Sequence, residues 1–408
     1  MEKIISGYLE LENDESLHKT HRKVIRNINL LLNGDRESGK PGLRNAVVGH
    51  ELERVATSAI VGLFSVSDPN PSFLHNVRRQ EGNAFVNLTE TTESILVAGN
   101  IILTGMPGGG KTLLARALAS ACGLSFARVQ MTPDLTPRDL IATTTLEADK
   151  TFTYLGPAAS SNILLADEIN RATPKTQSAL LERMSSGTLT YKDRGRDISL
   201  VLPQPCFTLA TRNPIEQEGT YSLPEAQLDR FLYNIQFPLP SKDTLTEVLS
   251  SIMNIANLKM QPLTSGDEIL ECRDFIVKEI EVPEHVKKYI VRLILACYEP
   301  LSYDIFPNLK EKLAGESLVT LPPNSRAAIH IMNSSKTLAC IQGSRVVKEE
   351  HVKKRFFEAV NHRFVLNRRA IPVLLADYGS TDNFLSTLIK GDKKNKTYGL
   401  LDIVPVEE

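Results

Sequence analysis

Gly105-Met106-Pro107-Gly108-Gly109-Gly110-Lys111-Thr112 follows the apolar run Ile101-Ile102-Leu103 and precedes Leu113, Leu114, Ala117, Leu118 and Ala121, which recur at helical spacing. Glycines let backbone N–H groups curl around an anion, and a helix starting there turns its positive end toward the same anion. The spacing G-x-x-x-x-G-K-[S/T] is that of a phosphate-binding loop, and a strand before it with a helix after it is the required context. Gly105, Pro107, Gly108, Gly109, Gly110, Lys111, Thr112 and Leu113 form the candidate nucleotide-binding set. Lys111 is expected to reach the β- and γ-phosphates, and the Thr112 hydroxyl to bind Mg²⁺, with ATP as the ligand.

Two further stretches supply the groups that such a loop needs. Ile163-Leu164-Leu165-Ala166 runs into Asp167-Glu168, an apolar strand ending in two acids. Carboxylates at that edge of a sheet lie beside the nucleotide, Asp167 to hold Mg²⁺ and Glu168 to polarise the attacking water. Leu209-Ala210-Thr211-Arg212-Asn213-Pro214 is a third strand ending in polar residues. Asn213 is placed to bond the lytic water or the γ-phosphate, although Asn-Pro by itself is a common turn.

The surrounding pattern is α/β. Short apolar runs at residues 101–103, 126–129, 163–166, 207–210 and 233–237 alternate with helical periodicity. Continuous runs of that length suit strands covered on both faces, as in a parallel sheet. After Pro238-Leu239-Pro240 the strands stop, and helical patterns follow at residues 244–253, 268–280, 284–297, 326–340 and 349–364. The expected organisation is an N-terminal helical extension (1–45), a large α/β domain (46–240), a helical lid (241–369) and a tail (370–408). Residues 65–94, where Asp68-Pro69-Asn70-Pro71 breaks the pattern, read as an insertion or long surface loop.

Composition narrows the functional classes. The 408 residues are 42% apolar and 23% charged with a formal net charge of −1, so nothing draws the whole chain to nucleic acid or an anionic membrane. Lys353-Lys354-Arg355 and the run at 393–396 are short basic faces. The five cysteines lie far apart with no metal-site or disulfide spacing, which fits a reduced, cytoplasmic setting. No stretch has the ~18 to 20 apolar residues of a membrane span.

Asp167-Glu168-Ile169-Asn170-Arg171-Ala172, continued by Thr173-Pro174-Lys175-Thr176-Gln177-Ser178-Ala179-Leu180-Leu181-Glu182, resembles the MoxR group of AAA+ ATPases. So does the run from Asn213-Pro214-Ile215-Glu216 through Leu223-Pro224-Glu225-Ala226-Gln227-Leu228-Asp229-Arg230-Phe231. The resemblance covers residues 46–63 and 95–364. It implies an AAA+ P-loop domain, a helical lid, and a homo-oligomeric ring, usually a hexamer, with ATP between subunits. It also implies sensor 1 at Asn213, an arginine finger at Arg230 and sensor 2 at Arg326, which would link nucleotide state to lid angle. Arg171, Arg194 and Arg212 are rivals for the finger. Residues 143–155 match the helix-2 insert of this clade, and residues 189–200 a hairpin facing the pore or a partner.

Three departures accompany the likeness. The phosphate loop has three consecutive glycines where relatives carry a bulkier residue. Pro322-Pro323-Asn324-Ser325-Arg326 matches the sensor-2 motif loosely. Residues 1–45 and 65–94 have no counterpart. The function implied is chaperone-like remodelling or maturation of a protein complex, including metal or cofactor insertion, with a partner carrying a von Willebrand factor A domain. The alternatives are a nucleic-acid motor, a small-molecule phosphotransferase and a nucleotide-gated scaffold.

Overall fold

The computed structural model describes residues 19–35, 38, 40–43, 50–67, 72–81, 84–93, 97–147, 150–193, 195–213, 221–246, 249, 261–303, 305–313, 316–392 and 397–406. Arg194, residues 214–220, the run at 393–396, the 68–71 turn and most of the 244–253 helix lie outside them.

Among the described residues two longer helices come first, α1 (Lys19–Asn33) and α2 (His50–Phe64). A hairpin of β1 (Ser72–Glu81) and β2 (Ala84–Glu93) follows. The central α/β region runs through β3 (Ile101–Thr104), α3 (Lys111–Ala121), β4 (Phe126–Gln130), the hairpin β5 (Ala142–Glu147) and β6 (Lys150–Leu155), and β7 (Ile163–Asp167). It continues with α4 (Pro174–Ser186), the hairpin β8 (Thr188–Asp193) and β9 (Arg196–Val201), β10 (Phe207–Arg212) and β11 (Tyr233–Gln236). The main helices beyond are α5 (Gly266–Glu279), α6 (Glu284–Ala296), α7 (Ser325–Ile341), α8 (Glu349–Val360), α9 (Ile371–Tyr378) and α10 (Thr381–Lys390).

The five expected strands form one sheet in the order β11-β3-β10-β7-β4, every neighbour parallel. Parallel strands need both faces covered, and two apolar layers do this. Ile102, Leu164, Ala166 and Ala210 face a smaller cluster with Leu180 and Met184 of α4. Leu103, Leu165, Leu209 and Ile235 face a larger one that runs on into the helical region. α1 belongs to that larger layer: Val24, Ile25, Ile28, Leu31 and Leu32 are at most 4% exposed. Each such side chain contributes about 1.5–3 kcal/mol when buried. Its polar edge also engages the helices, where His21 Nε2 lies 2.8 Å from the Cys340 carbonyl and Lys23 Nζ reaches Glu271.

Two expectations require correction. Within 65–94, read as an insertion or long surface loop, the described residues 72–81 and 84–93 are not loop: β1 and β2 form a long antiparallel hairpin, and β1 pairs in parallel with β9. The result is a second sheet in the order β8-β9-β1-β2. The described part of 370–408, expected as a tail, packs into the fold, because α9, α10 and a short helix at Leu400–Ile403 bury Leu374, Phe384, Leu388 and Leu400 in the larger core. Gly379 and Gly391, both at positive φ, end α9 and α10 after two or three turns, so neither helix is long enough to show a clear period.

Candidate functional site

In parallel strands all C-terminal ends lie on one edge of the sheet, and here that edge carries the sequence-derived groups. Gly105 follows β3, Asp167 ends β7, and Asn213 follows β10. The Gly105 N–H donates to the Arg212 carbonyl at 3.0 Å, which ties the start of the phosphate loop to the strand before Asn213. Gly108 and Gly110 have φ of 80° and 92°, values that an L side chain rarely adopts. The glycine between them has another reason. A Cβ on Gly109 would stand 3.1 Å from the Phe237 ring, so the third glycine lets Phe237 pack against the loop.

Lys111 opens α3, with its Nζ donating to the Gly105 and Met106 carbonyls at 2.5 and 2.9 Å and lying 5.9 Å from the Phe237 ring centre. Burial pulls the ammonium pKa down, and the Asp167 and Glu168 carboxylates oppose that shift. A cation already weakly hydrated and near two acids is readily redirected to a phosphate.

The two acids are held by their neighbours. Asp167 Oδ2 accepts from Arg128 Nη2 at 2.6 Å and Nε at 3.0 Å, and its Oδ1 accepts from Thr211 Oγ1 at 2.5 Å. Glu168 Oε2 accepts from Gln130 Nε2 at 2.7 Å and pairs with Arg171 Nε at 3.0 Å. Arg171, a rival for the finger, therefore stands beside its own subunit's Glu168. Thr112 and Asp167 offer a hydroxyl and a carboxylate oxygen, the hard donors that suit Mg²⁺. Among the described residues no group of three or more His, Cys, Asp or Glu could hold a metal ion. A Mg²⁺ held by one carboxylate, one hydroxyl and phosphate oxygens fits the residues present.

The arginines lie elsewhere. Leu232 N–H donates to the Asn100 carbonyl, just ahead of β3, so Asp229 and Arg230 sit at the N-terminal edge of the sheet. The four residues of β3 put ~13 Å of strand between that edge and the phosphate loop. Asp229 is the hub there. Its Oδ1 accepts from Arg363 Nε and its Oδ2 from Arg326 Nη1, both at 2.7 Å, while Asn324 Nδ2 adds a bond at 3.0 Å. Asn324 Oδ1 meanwhile caps α7 by accepting from the Arg326 and Ala327 N–H groups. Burial would raise the Asp229 pKa, but Asn324, Arg363 and Arg326 outweigh it and hold the carboxyl below its ordinary value.

Arg363 is fully buried and also donates to the Asp229 and Phe231 carbonyls and to His330 Nδ1. Burial lowers its pKa to about 10. His330 is buried and His362 half-buried beside it, and both are held well below the ordinary histidine range by desolvation and by its charge. Arg230 is half-buried, donates to Ser185 Oγ, and has its pKa lowered by burial and by Arg326. Arg326 thus stands with Arg230 in its own subunit, away from the phosphate-loop edge. The third rival, Arg212, is itself largely buried. Burial raises the pKa of Asp382 on α10, the Arg212 charge partly offsets that rise, and Asp382 Oδ2 accepts from Gln236 Nε2 at 2.9 Å. Gln236 lies in register with Thr104, so the C-terminal helices reach the edge that carries the phosphate loop.

Sequence reasoning missed Asp229, Arg363, Asn324 and Thr211 as functional neighbours. Asp229 did sit inside a recognised run, and its place beside Arg230 was the available signal.

Fold and site define a P-loop ATPase of the AAA+ class. Residues 100–233 match the model of the ATPase family associated with various cellular activities (AAA). An uncharacterised Bacillus subtilis protein, YeaC, is 34% identical over 283 residues, 68% of this chain and 81% of that one. The Mycobacterium tuberculosis chaperone MoxR1 is 34% identical over 282 residues, covering 68% and 70%. The crystal structure of a Cytophaga hutchinsonii protein assigned as an ATPase superposes with a TM-score of 0.69 at 28% identity, over 99% of this chain and 98% of that one. The chain belongs to the MoxR family of AAA+ ATPases, and its reaction is the hydrolysis of ATP. No helix among the described residues is long and apolar enough to cross a membrane.

Proposed function

We propose that each chain supplies two halves of two different active sites in a ring, a hexamer, of identical subunits. The phosphate loop, Asp167, Glu168 and Asn213 bind and hydrolyse ATP in one subunit, while Arg230 and Arg326 of the next reach its γ-phosphate. The observation that carries this is the separation of the arginines from the phosphate loop by the length of a strand. Lys111 neutralises the β- and γ-phosphates, Thr112 and Asp167 hold Mg²⁺, and Glu168 accepts the proton of the attacking water. Bound Mg²⁺ supplies charge stabilisation at the phosphate oxygens. For Glu168 to act, its carboxylate must leave Gln130 and Arg171. We assign the same motor to chaperone-like remodelling of a protein complex, with a partner bearing a von Willebrand factor A domain and with metal or cofactor insertion as the output. The name of the Mycobacterium tuberculosis relative supports the chaperone part. A cytoplasmic setting is supported by five cysteines that are all buried and unpaired.

Mixing tests the shared site. Lys111→Ala subunits and Arg230→Ala subunits, each inactive alone, are expected to recover hydrolysis when combined, because some interfaces then carry both intact halves. Rings that assemble from the mixture yet stay inactive at every ratio would sink the model. A pull-down with Glu168→Gln protein and ATP tests the partner, and recovery of nucleic acid instead would favour the motor alternative.

A further inference from the structure

Thr211, the penultimate residue of β10, touches both acids of the site. Its Oγ1 accepts from the Glu168 N–H at 2.8 Å and donates to Asp167 Oδ1 at 2.5 Å. The residue is 1% exposed. Water cannot replace a hydroxyl there, and a buried polar group left unpaired costs about 1–3 kcal/mol.

The backbone it holds is unusual. Among the described residues Glu168 is the one non-glycine with positive φ, at φ 57° and ψ 53°. A left-handed non-glycine costs about 1–2 kcal/mol and persists where its surroundings impose it. The conformation has a use. Successive side chains on a strand point to opposite faces, so an extended Glu168 would diverge from Asp167. The left-handed turn breaks that alternation immediately after Asp167.

We propose that Thr211 is a positioning residue for ATP hydrolysis. One hydroxyl fixes the Glu168 main chain in its left-handed turn and the Asp167 carboxylate beside it, setting the acid that polarises water against the acid that holds Mg²⁺. The inference rests on the roles given above to Asp167 and Glu168. It requires an atom that accepts and donates at once. Serine provides this, whereas valine keeps the shape and provides neither.

Full-length Thr211→Val, Thr211→Ser and Glu168→Gln proteins separate the outcomes. Turnover, affinity for a fluorescent ADP, and amide hydrogen exchange of the peptide carrying Glu168 in nucleotide-free protein are measured for each. Thr211→Val is expected to lower kcat roughly tenfold or more and speed exchange at Glu168 by a similar factor, as loss of a buried bond of this kind implies. Its ADP affinity should stay close to wild type, and Thr211→Ser should restore all three readouts. Should the valine protein not fold, Thr211→Ala carries the same expectation. Wild-type turnover in the valine or alanine variant, or a serine variant as slow as they are, overturns the role of Thr211. A Glu168→Gln protein that hydrolyses ATP normally instead overturns the assignment of the acids on which the inference stands.

Discussion

The two edges of the central sheet carry opposite electrostatic designs. At the C-terminal edge, Asp167 and Glu168 are partly open to solvent, and besides the buried Thr211 hydroxyl they are held by Arg128, Gln130 and Arg171, contacts that can be exchanged for others. At the N-terminal edge one buried carboxylate, Asp229, is shared by two arginines while a third, Arg230, lies beside it. An arginine 4 Å from a phosphate gains about 4 kcal/mol at an effective dielectric of 20, but at ~13 Å the gain falls to about 1 kcal/mol. Rate enhancement from an arginine therefore demands contact, and within one subunit the strand keeps the groups apart. One edge is built to rearrange around a ligand, and the other to hold a fixed shape.

The largest effects are expected on nucleotide binding and turnover. Lys111→Ala should lower ATP affinity by ~10² or more in an equilibrium titration, since it removes a partly desolvated cation from the phosphates. Arg230→Ala should cost ~10³ in turnover, with nucleotide affinity retained, when steady-state rates and binding are measured on assembled protein. Comparable loss of binding in both variants would erase the functional distinction between the edges.

The fixed edge makes a different prediction. Asp229→Ala strands the buried Arg363 and should destabilise the fold by about 3–5 kcal/mol in denaturant unfolding. An acid titration sharpens this. His330 and His362 have folded pKa values below the unfolded value of about 6.5, so below that pH the unfolded state binds more protons and stability falls. Each histidine can contribute up to about 1.4 kcal/mol per pH unit in that window. The melting temperature should therefore drop from pH 7 to pH 5 and drop less in His330→Gln. The smallest effect returns to the open edge. The Arg128–Asp167 pair is partly exposed and contributes at most about 1 kcal/mol. Arg128→Met should thus lower the Mg²⁺ concentration giving half-maximal hydrolysis by no more than about fivefold.

How much of this was legible follows from how local each cue is. The strands at 101–104 and 163–167 are buried on both faces and announce themselves as apolar runs, and the phosphate loop is a continuous octapeptide. β1 and β2 were missed because a polar sequence such as Ser72–Glu81 becomes strand through its pairing with β9, more than a hundred residues later. The Asp229 hub was missed because its carboxylate meets Arg363 134 residues along the chain. Thr211 is only a β-branched strand residue until the position of Glu168 is known.

The bond between His21 and the Cys340 carbonyl spans 319 residues. On a ribosome adding ~5–20 residues per second, α1 emerges about 15–60 s before the helix that covers it. During that interval Val24, Ile25, Ile28, Leu31 and Leu32 present an uncovered apolar stripe to the cell, while the sheet can close as soon as β11 has been made. Completion of the core around α1 thus waits for the C-terminal half of the chain.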